Sequence, residues 1–446
     1  IIGSGPGGYR SACYAAARGL SVTVFESAEA GGTCLNCGCI PTKSLCRNAE
    51  VIDTLRDASA LGLESLSYNL DFGKIMERKN SVVAQLRNGV ETLMRTPGIT
   101  FVNKKAKLTS GHTVVTDEEE YTAGDIIIAT GSHAKIPPIK GTQLQGVVTS
   151  TELLDIPSVP KRLCIVGAGV IGMEFASVFS SFGSEVTVVE FMKEALPTLD
   201  SDIAKRLRQT IGKRGVTFHM QTAVKEIEEK TDSCGARVLN VITDKKGKTL
   251  EVEADTVLIA TGRSANTDGL GLEEAGIEYD SKGIHTDDNF ATNVPHIYAI
   301  GDVNGKCMLA HAATFQGIHV VNHILGTPDG IRPDIMPSAI FTNPEAASVG
   351  LSEDRCKELG LEYTCKKGFF RSNGKALAMN ETDGMVKLIS DSDGRIIGCH
   401  MFGAHASDMV QEITALMNTG VTTRRLAEII HIHPTLSEIL CDMCLG

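Results

Sequence analysis

The feature that most constrains this 446-residue chain is a glycine turn that occurs twice. Ile1-Ile2-Gly3-Ser4-Gly5-Pro6-Gly7-Gly8 precedes a helical stretch over residues 9–19 and a strand over residues 20–26. Leu163-Cys-Ile-Val-Gly167-Ala-Gly169-Val-Ile-Gly172 repeats the plan, with a helix to about residue 183 and the strand Glu185-Val-Thr-Val-Val-Glu190. Strand, glycine turn, helix and strand make the unit of a doubly wound parallel α/β sheet. In G-x-G-x-x-G the first glycine permits the tight turn and the second lets backbone approach a pyrophosphate. The third lets helix and strand pack closely. The phosphates then meet free N–H groups and the positive end of the helix dipole. A single such turn is weak evidence. Here each one stands in the right context, and each is followed 18 residues past its last glycine by an acid, Glu26 or Glu190. The pair predicts two dinucleotide sites, one on Gly3, Gly5, Gly8 and Glu26, the other on Gly167, Gly169, Gly172 and Glu190. Glu190 would accept from a ribose 2′-OH and repel a 2′-phosphate. The residues after it, Phe191-Met192-Lys193, bring no arginine, so the second site is expected to take NAD rather than NADP.

A second echo supports duplication. Asp125-Ile-Ile-Ile-Ala-Thr130-Gly131 and Asp255-Thr-Val-Leu-Ile-Ala-Thr261-Gly262 are short apolar strands closed by Thr-Gly. Pro137-Pro138 marks a domain crossing, and Ile297-Tyr-Ala-Ile-Gly301-Asp302 is another buried strand. Beyond Arg332-Pro333 the pattern changes to strands at 384–389 and 396–401 and helices at 407–418 and 423–430, an α+β domain. The expected domains are 1–138, 139–264, 265–332 and 333–446. The chain opens on Ile1, so its natural start is expected upstream, and the first sheet should lack most of its leading strand. Lys and Arg number 43 against 54 Asp and Glu, a net charge of −11 without basic runs. That balance argues against nucleic acid and anionic membrane surfaces. No apolar run reaches the roughly 18 residues of a membrane helix. The 13 cysteines are too scattered for a disulfide scaffold and fit a reducing compartment.

Three cysteines nonetheless crowd into Gly31-Gly32-Thr33-Cys34-Leu-Asn-Cys37-Gly-Cys39-Ile-Pro41-Thr-Lys43. Zinc would want a fourth ligand, usually from a second paired cluster, and none lies nearby. Pro41 suits the first turn of a helix. Cys39 would then sit at a helix N-terminus, which favours thiolate, with Lys43 one turn on.

This segment resembles the redox-active disulfide signature of the pyridine nucleotide–disulfide oxidoreductases, and the resemblance extends along essentially the whole chain. It implies two Rossmann-like domains for FAD and NAD, with a C-terminal α+β dimerisation domain. Cys34 would be the thiol that meets substrate, and Cys39 the inner thiol beside the flavin. Gly301-Asp302 resembles the family's second FAD motif. Met308-Leu309-Ala310-His311 resembles the segment whose backbone faces the flavin ring. The resemblance also assigns Gly32, Thr33, Lys43, Ala106, Thr130, Gly131 and Ser132 to FAD, and Glu174, Val224 and Gly262 to NAD. Lys43 and Glu174 would form an ion pair beside the flavin N5.

His431-Ile-His433-Pro434-Thr-Leu436-Ser-Glu438 is similar to the C-terminal motif of the dihydrolipoamide-oxidising branch of that family, whereas the glutathione reductase-like branch more often has Ser at the place of Leu436. Pro434 forces His433 out of helical geometry and can start a helix, with Glu438 just over one turn in. Glu438 would orient His433, the implied catalytic base, and His431 is expected to be structural. The peptide before Pro434 is expected to be cis. The family's base comes from the partner subunit, implying a homodimer. Lipoyl domains and the acyltransferase core of a 2-oxoacid dehydrogenase or glycine-cleavage complex are the implied partners, in the cytoplasm, or the mitochondrial matrix of a eukaryote. Rival readings are a mercuric or glutathione-type reductase, a transhydrogenase-like flavoprotein that would not need the cysteines, and a purely structural subunit of a multienzyme complex. Cys37 departs from the family pattern and could compete as a thiol with Cys34 or Cys39, and the pair Cys441 and Cys444 resembles the auxiliary thiols of mercuric and thioredoxin reductases; packing is the expected role of all three.

Overall fold

A computed structural model describes residues 1–233 and 235–445. The chain folds into two compact units. The first comprises Ile1–Ser44, Lys74–Lys135 and Gly262–Pro333; the second comprises Leu45–Gly73, Ile136–Thr261 and the segment from Asp334 onward. Residues 262–333 belong to the first unit and residues 45–73 to the second.

In the first unit, Val22–Phe25 pairs in parallel with Ile99–Val102, and Ile126–Ile128 pairs in parallel with Ile297–Ala299. Ile2 joins the two pairs through single bridges to Phe25 and Ile128. Ile126–Ile128 and Ile297–Ala299 are buried throughout. That burial explains why they read as continuous apolar runs and not as alternating ones. One face carries the helices Pro6–Ala16 and Ala310–Ile324, with Ala12, Val24, Ile127, Ile300 and Val320 in a shared core. The other face buries Ile2, Phe25, Ile128, Ile284 and Ile297. An antiparallel meander, Lys107–Ser110, Thr113–Val115 and Glu120–Thr122, contributes Leu108 and Val114 to that second core.

The second unit holds a five-stranded parallel sheet in the order Thr217–Met220, Glu185–Glu190, Arg162–Val166, Thr256–Ile259 and Val147–Val148. A three-stranded antiparallel sheet over residues 223–254 packs Ile227, Leu239 and Val241 against Cys164 and Val257. The C-terminal part is a five-stranded antiparallel sheet in the order Ser338–Ile340, Glu345–Gly350, Ile396–Gly403, Met385–Ser390 and Thr364–Phe369. Helices Ala406–Asn418 and Glu438–Leu445 supply Met409, Ile413, Ile439 and Leu440 to its core.

The expected helix start at Pro434 is corrected. The helix begins at Glu438, so Glu438 is its first residue instead of lying a turn inside. Pro434 and Thr435 form the approach, and the Glu438 carboxylate accepts from Thr435 N at 2.7 Å. No described helix is long and apolar enough to cross a membrane.

Candidate active site

The two glycine turns have the same construction. Gly3 and Gly167 take φ of 104° and 108°, and a Cβ on either would stand 2.4 Å from a carbonyl, that of Ala129 or Ala260. A Cβ on Gly8 or Gly172 would stand 1.9 or 2.1 Å from the oxygen of Gly3 or Gly167. Only glycine fits at these four places. The second glycines differ: a Cβ on Gly169 would meet nothing within 4 Å, and one on Gly5 only the Cα of Gly32 at 3.9 Å. Both turns therefore leave open space above the second glycine, where a pyrophosphate would approach a helix N-terminus. The residues fit the dinucleotides that the sequence implies.

The two acids are placed alike. Glu26 Oε2 accepts from Ser4 N at 2.9 Å and Oε1 from Ala28 N at 3.0 Å. Glu190 Oε2 accepts from Ala168 N at 2.6 Å and Oε1 from Met192 N at 2.6 Å. Each carboxylate ties the end of its strand to its own glycine turn, which fixes the rim on which a ribose would rest.

The cysteines lie on two short-spaced helices of different length. Gly31, at φ 100°, opens the helix Gly32–Cys37, and Gly38 breaks it before the helix Cys39–Arg56 begins. Cys34 and Cys39 are brought into side-chain hydrogen-bonding contact. That contact, burial and the charge of a neighbouring thiolate all push the Cys34 thiol upward, and Lys43 opposes them. Cys39 stands at the helix N-terminus, as expected. Asn36 Nδ2 donates to the carbonyls of Ala30 and Gly32, each at 3.0 Å. Arg87 fixes that amide by donating from Nε to Asn36 Oδ1 at 2.9 Å.

Asp302 lies in the turn Gly301–Asn304 and accepts from the Ser132 hydroxyl. Arg263 donates to Ser132 Oγ and O, both at 2.6 Å, and lies 3.8 Å from Asp302. Thr130 and Asn266 exchange two hydrogen bonds at 2.8 and 2.9 Å. Arg263, Asn266 and Arg87 were missed by the sequence reading. Arg263 follows the Thr261-Gly262 turn directly, which was the available signal; Arg87 lies in a helix and had none. Ala106 is buried in the second core of the first unit, and Val224 packs against the core of the second unit. Met308 is partly exposed, Leu309 caps the helix Ala310–Ile324, and His311 is its second residue. Glu174, 3% exposed, accepts from Phe341 N at 3.0 Å.

His433 Nδ1 stands 2.8 Å from Glu438 Oε1, and the His433 side chain is 80% exposed. The carboxylate holds the proton on Nδ1 and leaves Nε2 to take another. The Thr435 N–H, and then His433, keep Glu438 below the ordinary glutamate range. The peptide before Pro434 is cis. His431 is different. Both its nitrogens face acceptors, the Ile429 carbonyl at 2.9 Å and Glu412 Oε1 at 2.8 Å. Burial works against its charge, but these acceptors win and hold it above the ordinary histidine range. Among the described residues no group of three His, Cys, Asp or Glu side chains is arranged for a metal ion.

Two nucleotide turns and a contacting cysteine pair define a class: enzymes that pass electrons between a pyridine nucleotide and a disulfide. The chain belongs to the pyridine nucleotide-disulphide oxidoreductase family, which it matches over residues 1–317, with that family's dimerisation domain over residues 336–444. It is 38% identical to a dihydrolipoyl dehydrogenase of Chlamydia muridarum over 100% of this chain and 95% of the relative. A dihydrolipoyl dehydrogenase of Bacillus subtilis is 39% identical over 99% of this chain and 94% of its own. Among solved structures, the HOCl-induced flavoprotein disulfide reductase RclA of Escherichia coli superposes with a TM-score of 0.87. Its identity is 30%, over 100% of this chain and 98% of that one.

Proposed function

We propose that this enzyme oxidises protein-bound dihydrolipoamide to lipoamide through a Cys34–Cys39 disulfide and passes the electrons to NAD+. The contact between Cys34 and Cys39 carries the reading. The first glycine turn, Glu26 and the Ser132–Arg263–Asp302 group would hold FAD, which when bound supplies a two-electron relay between the dithiol and the nicotinamide. His433 Nε2 takes a proton from a dihydrolipoyl thiol. The resulting thiolate attacks Cys34 Sγ, breaking the Cys34–Cys39 bond and releasing Cys39 as thiolate. The second dihydrolipoyl thiol then displaces Cys34 and closes the lipoamide ring, its proton passing to the departing Cys34 sulfur. Reoxidation of the cysteine pair delivers two electrons and one proton to NAD+, and His433 releases the other proton to solvent. Glu190 selects NAD+ by accepting from the ribose hydroxyl and repelling a 2′-phosphate. His433 serves the cysteines of the other subunit of a homodimer, and lipoyl domains of a multienzyme complex in a reducing compartment supply the substrate.

The test is NAD+ reduction by dihydrolipoamide with the FAD-loaded protein, with NADP+ and Cys34→Ser as controls. NAD-specific turnover lost in Cys34→Ser is the expected result. Turnover that survives in Cys34→Ser overturns the disulfide route, and equal rates with NADP+ overturn the role of Glu190.

A further inference from the structure

The helix Val170–Ser181 follows the second glycine turn, and Glu174, Ser177 and Ser181 lie along one side of it at spacings of three and four residues. All three are engaged. Phe341 N donates to Glu174 Oε1 at 3.0 Å, and Asn343 N donates to Ser177 Oγ at 3.0 Å. The Ser181 hydroxyl donates to Asp53 Oδ2 at 3.0 Å. Asn343 closes the circuit from its side chain, with Nδ2 2.8 Å from the same Asp53 oxygen. Asp53 is 6% exposed and lies near the end of the helix that starts at Cys39. Arg56 and Arg214 reach its carboxylate at 3.4 Å, and Arg56 also donates to the Ser181 carbonyl at 3.0 Å.

One buried carboxylate thus gathers donors from its own helix, from the nucleotide-binding helix, from Arg214 and from the loop that grips Glu174. A buried carboxylate that is satisfied this completely costs several kcal/mol to leave unpaired, so the arrangement is held as a unit. We propose that Asp53 is a positioning residue for hydride exchange with the nicotinamide. It holds the loop at residues 341–343 against the helix, and so fixes the height and angle of Glu174. The inference rests on the proposed placement of Glu174 beside the nicotinamide. It does not depend on the lipoyl substrate.

The test uses the FAD-loaded dimer and Asp53→Asn, which keeps the shape and removes the charge. Hydrogen exchange of the peptide containing Phe341 and Asn343 is expected to quicken about tenfold, because the loop loses the Asp53 anchor that holds those two amides on Glu174 and Ser177. Anaerobic bleaching of the flavin by NADH, followed by stopped flow, is expected to slow about five- to tenfold. The transposed variant Asp53→Asn/Asn343→Asp returns the charge from the other side and is expected to recover both readouts to within about twofold. Ser181→Ala removes one donor, and a smaller change of the same kind serves if Asp53→Asn does not fold. Unchanged exchange, unchanged bleaching or a slow rate that the transposition does not rescue each overturns the proposal. Wild-type enzyme that NADH bleaches but dihydrolipoamide does not would fail the proposed function and leave this test intact.

Discussion

At the scale of single residues, two carboxylates carry testable expectations about the proposed chemistry. Glu438 pairs with His433 at 2.8 Å and is held ionised by Thr435 N. Replacing it with Gln removes the charge that fixes the imidazole tautomer. Glu438→Gln is expected to lower dihydrolipoamide turnover by roughly 10²-fold while NADH still bleaches the flavin, because positioned acid–base catalysis is worth that much or more. Steady-state rates against pH, beside the NADH half-reaction, check it; an equal loss in both reactions would place Glu438 elsewhere in the mechanism. Glu190 accepts from Ala168 N of its glycine turn and from Met192 N just beyond its strand. Glu190→Ala is expected to lower kcat/KM for NAD+ and narrow its preference over NADP+ by about tenfold, roughly the cost of one charge-assisted hydrogen bond. Side-by-side cofactor kinetics decide it. Both glutamates were legible in the sequence, since each stands at a spacing set by strand length or by Pro434. Arg263 and Arg87 were not, because each acts on a segment remote in sequence, and one sequence holds no record of that contact.

At the scale of elements, the strands Met385–Ser390 and Ile396–Gly403 carry a buried ionic group. Lys387, 2% exposed at its side chain, lies 2.7 Å from Asp200 and 2.6 Å from Glu353. Asp200 also caps the helix Ser201–Lys213. Lys387→Met leaves the buried Asp200 carboxylate without a cation, while Glu353 keeps Lys357 at 3.0 Å, and is expected to destabilise the fold by about 3–5 kcal/mol, read as a lowered Tm and urea midpoint. The same group sets an acid limit. Burial lowers His400 from 6.5 to about 4, with Asp200 N donating to its Nδ1. Lys387 chiefly holds Glu353 down to about 2 from 4.5. Both groups bind protons more readily when unfolded, so stability rises with pH across their windows. It is expected to decline as pH falls from 6.5 towards 4 through His400, and again from 4.5 towards 2 through Glu353. Urea melts in acid check this, and His400→Asn should flatten only the upper segment. The sequence showed these strands by their apolar runs, but nothing in it marked Lys387 as buried. Only the pairing of Lys387 with His400 across the sheet brings it to Asp200.

At the scale of the whole molecule, the match to the family's dimerisation domain sets the expectation of shared sites. Mixing Cys34→Ser and His433→Gln subunits checks it. Each hybrid dimer would contain one site with both groups intact. Random pairing therefore predicts recovery of about a quarter of wild-type turnover from two inactive parents. No recovery would place His433 and Cys34 of one subunit in the same site. Ile430 and Ile432 flank the two histidines and are 98% and 79% exposed, a surface that a second copy would cover.

The sequence by itself determined the repeated βαβ units, the glycine positions, the two acids, the cysteine pair and the histidine motif. These depend on local geometry: a turn, a strand length or a helix start demands particular residues at fixed spacing. Tertiary structure alone decided which distant polar groups meet. Residues 262–333 return to the first unit, Asp53 gathers Ser181 and Asn343, and Arg263 reaches Ser132. Such contacts leave no periodic trace along the chain, because burial requires each polar group to find a partner without fixing where in the sequence that partner lies.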